Sequence, residues 1–215
     1  LSQRLAREIK IWSQLSHPNV LEFLGYHLNQ RMTTAWLISP YITDGNLSQF
    51  IRNISLDSPL RIRLIVDTAR GLAYLHAQGI CHGDMKPANI LVTDERTAVI
   101  ADFGLSQLAD STESGLTTTK SIKGSFRYLS PELLDEGARH TLQSDVWAFG
   151  CVMMEVLTGM LPFPNAKNDI SLTLALARRE MPVQTRSLTV AEPIRDLLQE
   201  CWQLKPSDRP TMPRC

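Results

Sequence analysis

Leu1, Leu5, Ile9 and Trp12 recur at intervals of four, four and three, which places them on one face of a helix. That helix is expected to end near Ser16, before His17 and Pro18. Two short apolar runs follow, residues 20–24 and 35–38, separated by the turn-like Asn29-Gln30-Arg31, and they read as two antiparallel strands. The polar, glycine-containing connection Thr43-Asp44-Gly45-Asn46 is the clearest candidate for a lobe boundary. Beyond it Ile62, Ile65, Val66, Ala69, Leu72, Ala73 and His76 mark a long helix that Gly79 stops. Short strands are predicted at 90–92 and 98–100, joined by the turn at Asp94-Glu95. Residues 106–125 are rich in Ser and Thr without periodicity and read as a loop. Ser144 is placed to cap a helix running to Thr158, ended by Gly159 and Pro162. Further helices are expected at about 169–180 and 193–204. A few strands followed by a block of helices indicates an α+β protein.

Composition narrows the classes. The chain has 215 residues, 43% hydrophobic and 20% charged, enough to bury a substantial core. Lys plus Arg and Asp plus Glu balance at 22 each, so neither nucleic acid nor an anionic membrane is expected as a partner. The most apolar stretch, 146–163, is broken by Glu155, Thr158 and Gly159, which suits a buried helix rather than a membrane span. Cys81, Cys151, Cys201 and Cys215 show no Cys-x-x-Cys spacing and read as reduced thiols of a cytoplasmic protein. The start, LSQRLAREIK, is charged and amphipathic rather than a secretory signal, and it lacks an initiator Met. A truncated record is the expectation. Oligomeric state is left open.

The candidate chemistry lies at the ends of the two central strands. Asp84 and Asn89 sit in His82-Gly83-Asp84-Met85-Lys86-Pro87-Ala88-Asn89, just before the first, and Asp102-Phe103-Gly104 follows the second. A hairpin would bring these ends together. Asn89 and Asp102 then offer oxygen ligands suited to Mg²⁺, and Asp84 stands near them to accept a proton from an incoming hydroxyl. Phosphoryl transfer needs those parts. Either motif alone is a common turn; both in order at strand ends are not.

These residues resemble the motif set of the protein kinase superfamily. His82 to Asn89 resembles the catalytic loop and Asp102-Phe103-Gly104 the metal-binding motif. Ser130-Pro131-Glu132 resembles the close of the activation segment, and Ser144 to Gly150 the start of the large lobe's central helix. Cys201-Trp202 followed by Arg209-Pro210 resembles the C-terminal signature in its tyrosine-kinase-like form. The resemblance covers essentially the whole chain. It implies a bilobal fold with a partial N-lobe over 1–39, a hinge at 40–46 and a mainly helical C-lobe over 47–215.

It also implies roles. Asp84 resembles the catalytic base and Lys86 the lysine that steadies the transferring phosphate in serine/threonine kinases; Asn89 and Asp102 resemble the Mg²⁺ ligands. Ser39 matches the gatekeeper, Pro40, Tyr41 and Ile42 the hinge that holds adenine, and Leu91 the nucleotide site below it. Glu8 matches the glutamate that pairs with the ATP lysine. Ser125 stands where serine/threonine kinases have a Thr bonded to the catalytic Asp. Glu132 and Arg209 are expected to form a buried ion pair, and Asp145 to hold the catalytic-loop backbone. Trp12, Phe23, His82 and Phe103 match a hydrophobic stack linking the lobes.

The sequence departs from the pattern in three ways. It contains no glycine-rich loop and no following lysine strand, and Glu8 comes so early that both are expected upstream of Leu1. Lys10 does not replace that lysine, because on a helix it points away from Glu8. The usual Arg before the catalytic Asp is Gly83, which removes the cation that reads a phosphorylated activation loop. The C-terminus is expected to fall inside the last helix. The implied function is an ATP- and Mg²⁺-dependent protein kinase acting on Ser/Thr of protein substrates. A pseudokinase or regulatory binding module is the alternative. A small-molecule phosphotransferase also uses His-Gly-Asp but lacks the Ser130-Pro131-Glu132 and Asp145-Trp147-Gly150 motifs.

Overall fold

The computed structural model describes residues 3–29, 34–103, 106–108 and 126–215. Helix α1 (Gln3–Trp12) ends a turn earlier than its periodicity suggests. Strands β1 (Gly25–Leu28) and β2 (Ala35–Ile38) pair antiparallel, with Gly25 opposite Ile38 and Leu28 opposite Ala35. The second strand lies where expected. The first lies beyond the predicted 20–24, because Val20 and Leu21 are used elsewhere: Val20 bridges Ile100 in parallel, and the Leu21 N–H donates to the Ile100 carbonyl at 2.8 Å. Apolarity there reports docking onto the large lobe rather than hairpin pairing.

After the polar connection come a short helix α2 (Leu47–Phe50), capped by the Asn46 side chain, and the long helix α3 (Pro59–Ala77). Ser58 caps α3 and Pro59 opens it, the usual N-terminal chemistry. Strand β3 (Ile80–Cys81) pairs with β6 (Gln107–Leu108). Strands β4 (Ile90–Val92) and β5 (Ala98–Ile100) pair antiparallel in the predicted hairpin, Leu91 opposite Val99. Among the described residues of the stretch expected to be loop, 107 and 108 form strand β6.

Helix α4 (Leu142–Thr158) is the core of the large lobe, with α5 (Asp169–Ala177) and α6 (Glu192–Cys201) beyond it. Its cap is Thr141 rather than Ser144: the two close a reciprocal capping box, with Ser144 at the third helical position. Gly159 ends it in the left-handed region at φ 70°. Trp147, Phe149, Met154 and Val156 on α4 are buried with Leu64, Leu72 and Leu75 of α3 and Leu198 and Trp202 around α6.

Two glycines permit close approaches that carry the architecture. A Cβ on Gly71 of α3 would lie 2.4 Å from the backbone oxygen of Asn19, so α3 seats the segment after α1 directly. A Cβ on Gly150 of α4 would lie 2.8 Å from Trp202 Nε1. Asn19 is buried and knits this junction: its Nδ2 donates to the Ala98 carbonyl at 3.0 Å and its own carbonyl accepts from Ile100 N–H at 2.9 Å. The α1 end of the molecule is thereby fixed to the β4–β5 hairpin that carries the candidate chemistry.

Candidate active site

The β4–β5 hairpin places the two motifs side by side. A single turn of 3-10 helix, Pro87–Asn89, leads into β4, and Asp102 follows β5. The Ala101 N–H donates to the Asn89 carbonyl at 2.9 Å, which sets Asp102 next to Asn89. Asp102 is exposed and sits in the left-handed region at φ 63°, a conformation uncommon outside glycine.

Within the loop, Asp84 is a focus of donors. Lys86 Nζ lies 2.6 Å from Asp84 Oδ2, and Asn89 Nδ2 donates to the same oxygen at 2.9 Å and to the Asp84 carbonyl at 2.8 Å. Among the described residues no donor is recorded at Oδ1, so that oxygen is the one left to meet a hydroxyl. With both Asn89 amide hydrogens directed at Asp84, Asn89 Oδ1 is its remaining acceptor. The donor set of Asn89 Oδ1 and the Asp102 carboxylate is hard oxygen, which fits Mg²⁺. Among the described residues no group of three or more His, Cys, Asp or Glu is arranged to hold a metal. A site that takes two protein oxygens and leaves the rest to water and phosphate is the kind Mg²⁺ favours.

The loop backbone hangs from one buried carboxylate. Asp145, in the first turn of α4, accepts the His82 N–H at 2.7 Å on Oδ2 and the Gly83 N–H at 2.9 Å on Oδ1. His76 Nε2 from α3 lies 3.1 Å from the same Oδ2. Burial alone would raise the Asp145 pKa. The His76 contact, the neighbouring histidines and the Gly83 amide outweigh it and hold the carboxyl below its ordinary value. Gly83 adopts φ 79°, where a side chain would be strained.

His82 is fully buried and both its ring nitrogens are used. Nδ1 accepts the Asp84 N–H at 3.2 Å, so Nε2 carries the hydrogen and donates to the Ala101 carbonyl at 3.0 Å. Its ring meets Phe103 edge-on with centroids 5.6 Å apart; Phe103 meets Trp12 at 5.7 Å, and Trp12 meets Phe23 at 5.0 Å. An unbroken aromatic column thus joins α1 to the loop that carries His82 and Asp84.

On the other side, the connection after β2 is pinned to β4. The Val92 N–H donates to the Gly45 carbonyl at 3.0 Å and Asn46 bridges Leu91. Ser39 and Pro40 are half-buried, Tyr41 is 88% exposed, and Ile42 and Leu91 pack partly buried against the core. Glu8 lies on α1 and makes interactions of its own. Ser125 lies outside the described residues.

Glu132 and Arg209 meet in a two-point pair of 2.6 and 2.7 Å. Arg209 is fully buried at its side chain, stacks 5.1 Å over Trp147 and also donates to the Gln203 and Gln143 carbonyls. Burial would raise the Glu132 pKa, but the Arg209 guanidinium wins and lowers it.

Sequence reasoning missed several anchors. Arg127 donates to the Pro162, Phe163 and Ala166 carbonyls at 2.7, 2.9 and 2.7 Å, and the Tyr128 hydroxyl donates to Glu155 at 2.5 Å. Arg61 is buried, its guanidinium satisfied by the Ser55, Ile51, Ile54 and Val156 carbonyls. His76 was read only as a helix-face position. The one available signal was place: Arg127 and Tyr128 lie just upstream of Ser130-Pro131-Glu132, and His76 is the next-to-last residue of α3.

Comparison with known proteins identifies the family. The protein kinase domain family model matches residues 1–215. The chain is 33% identical over 98% of its length to the serine/threonine/tyrosine-protein kinase HT1 of Arabidopsis thaliana, covering 52% of that protein. It is 30% identical over 100% of its length to receptor-interacting serine/threonine-protein kinase 3 of Rattus norvegicus, covering 48% of it. It is 32% identical over 95% of its length to the serine/threonine-protein kinase TNNI3K of Homo sapiens, covering 24% of it. The chain therefore spans only part of the relatives it matches. Among the described residues no helix is long and apolar enough to cross a membrane. With an α+β fold, ordered motifs and a family match along all 215 residues in hand, the chain belongs to the protein kinase domain family, in its tyrosine-kinase-like branch.

Proposed function

We propose that this chain is the catalytic part of a protein kinase that transfers the γ-phosphoryl group of Mg-ATP to Ser and Thr hydroxyls of proteins. The observation that carries the reading is the convergence on Asp84: one carboxylate oxygen is held by Lys86 and Asn89, which leaves the other for an acceptor hydroxyl. In this reading Asp84 Oδ1 orients the acceptor hydroxyl and takes its proton, and Lys86 Nζ supplies positive charge beside the transferring group. Asn89 Oδ1 and Asp102 would hold Mg²⁺, which neutralises phosphate charge when bound. Ser39 to Ile42 and Leu91 would form the adenine side, with the division at 1–39, 40–46 and 47–215. Cytoplasmic placement goes with the same reading.

The glycine-rich loop and the ATP-contacting lysine are proposed to come from outside these 215 residues. The β1–β2 pair supports this. Among the described residues the β1–β2 sheet has two strands, with Tyr26, Trp36 and Ile38 45–52% exposed on it, and a two-stranded hairpin alone is marginal in water. A further strand would pair with its open edge.

Acceptor analysis tests the class. With a generic protein substrate and the full domain, phosphoserine and phosphothreonine are expected to dominate the product. HT1 carries tyrosine as well in its name. Predominant phosphotyrosine here would overturn the assignment of Lys86. The absence of any Mg-ATP-dependent transfer would favour a regulatory binding module instead.

A further inference from the structure

Helix α5 is apolar on every side, although one side is open to water. Leu172, Ala175 and Leu176 face inward and are buried in the core. The opposite face carries Ile170, Thr173, Leu174 and Ala177, with Arg178 continuing it, and all five are exposed. Their spacing of i, i+3, i+4, i+7 and i+8 is the stripe that a helix normally turns toward a core. Ile170 is 74% exposed and Leu174 50%, and Asp169 is the one charged residue of the helix. Beside the stripe a cavity of about 550 Å³ opens between α5 and residues 180–187, lined in part by Leu174, Arg178, Met181 and Pro182. A helix that is apolar all round is ordinarily buried all round, so the outer stripe calls for a covering element.

We propose that this face is a self-docking surface, on which two copies of the chain pair α5 against α5, antiparallel about a two-fold axis. The charges around the stripe select that occupant. Asp169 and Arg178 stand at equal distances in sequence on either side of the Thr173–Leu174 centre, and so do Lys167 and Glu180; all four are exposed. An antiparallel partner in that register sets Asp169 of one copy opposite Arg178 of the other, and Lys167 opposite Glu180. Each contact is made twice, as an isologous interface demands. Parallel pairing would set like charges against like. The same register lays Ile170 of one copy across Ala177 of the other, large against small, with Leu174, Arg178 and Met181 completing the hole that receives it. Within one copy Arg178 meets Glu180 at 3.8 Å with side chains 71% and 52% exposed, an ion pair worth too little to compete. A rim that carries both signs also disfavours a lipid surface, which asks for a cationic one.

The stripe is short: at a rise of about 1.5 Å per residue the helix spans ~13 Å. The contact therefore belongs to the small, transient class of interfaces, and dimerisation is expected to depend on concentration. Pairing through α5 is independent of phosphoryl transfer, and its test uses no kinase activity.

Sedimentation equilibrium of the full-length protein is measured up to ~0.5 mM, the range a small interface requires. Wild type is compared with Ile170→Asp, Leu174→Asp, Asp169→Arg and Arg178→Asp, with circular dichroism to monitor the fold. All four positions are exposed, so the fold is expected to survive. The wild type is expected to dimerise reversibly, and Ile170→Asp and Leu174→Asp to weaken association at least about tenfold. Asp169→Arg and Arg178→Asp each set like charges together twice in a homodimer and are each expected to weaken it several-fold. Mixed one to one, these two variants are expected to recover wild-type affinity as a heterodimer, because one copy then carries two cations where the other carries two anions. A wild type that stays monomeric at the highest concentration would overturn the proposal and leave the face to a different protein. So would a dimer indifferent to Ile170→Asp and Leu174→Asp, or charge variants that fail to rescue each other.

Discussion

Replacing Asp145 by Asn tests whether one buried carboxylate sets the catalytic loop. The wild-type group is 2% exposed at its side chain and serves three partners: the His82 and Gly83 amides and His76 Nε2. An Asn can keep its oxygen where Oδ2 was, for His82 and His76, but then turns its NH₂ toward the Gly83 N–H. One buried donor left unsatisfied costs about 1–3 kcal/mol, and the retained bonds lose their charge assistance, which about halves their strength. Part of this is offset because a neutral amide is cheaper to bury than a carboxylate. The lowered Asp145 pKa says that the attractive contacts exceed that burial cost in the native protein. A net loss of about 2–3 kcal/mol follows, read as a lower midpoint in urea unfolding at unchanged slope. The pH dependence has a definite sign. A depressed native pKa contributes stability that is present above the unfolded carboxylate value of about 4 and lost as pH falls through the native value. The variant is therefore expected to lose more stability at pH 7 than at pH 3. Gly83, held at φ 79° by that carboxylate, would relax and carry Asp84 with it. Turnover is expected to fall at least about tenfold, or 1.4 kcal/mol of barrier, with KM for ATP little changed because the 39–42 region is untouched. Wild-type turnover in a folded variant, or an equal stability loss at both pH values, would refute the reasoning.

Two further outcomes follow from the fold and the loop. Gly71→Ala forces a Cβ to within 2.4 Å of the Asn19 backbone oxygen, which cannot rotate away; a destabilisation of about 1–3 kcal/mol is expected, and a change below the error of urea unfolding would show that the α1–α3 junction gives freely. Gly83 offers no side chain to bind a phosphate, so phosphatase treatment of the active protein is expected to change its rate by less than about tenfold. A larger loss would show that another cation reads the segment at 106–125.

Much of this was legible because the signals were local. The helix periodicity of α3 and the alternation and turn of β4–β5 arise within each segment, so elements and motifs fell where the pattern put them. Boundaries failed where a tertiary partner decided. Val20 and Leu21 are apolar because Ile100 takes them, and Thr141 rather than Ser144 caps α4 because the two act reciprocally. The donors that hold the site are illegible for the same reason. Arg61 and Arg127 find carbonyls tens of residues away, and an arginine that serves carbonyls looks in sequence like any solvated charge. His76 matters only because α3 brings it to Asp145, 69 residues distant.

The central claim is that Asp102 and Asn89 serve a metal-dependent phosphoryl transfer assisted by Asp84. Its most direct test compares wild type with Asp102→Asn, in a protein that carries this chain together with the segment proposed to supply the lysine. Incorporation of ³²P into a generic protein substrate is measured with Mg-ATP, and circular dichroism monitors the fold. Because Asp102 is exposed, its loss is expected to leave the fold intact while transfer disappears. Normal transfer by the folded variant would contradict the account.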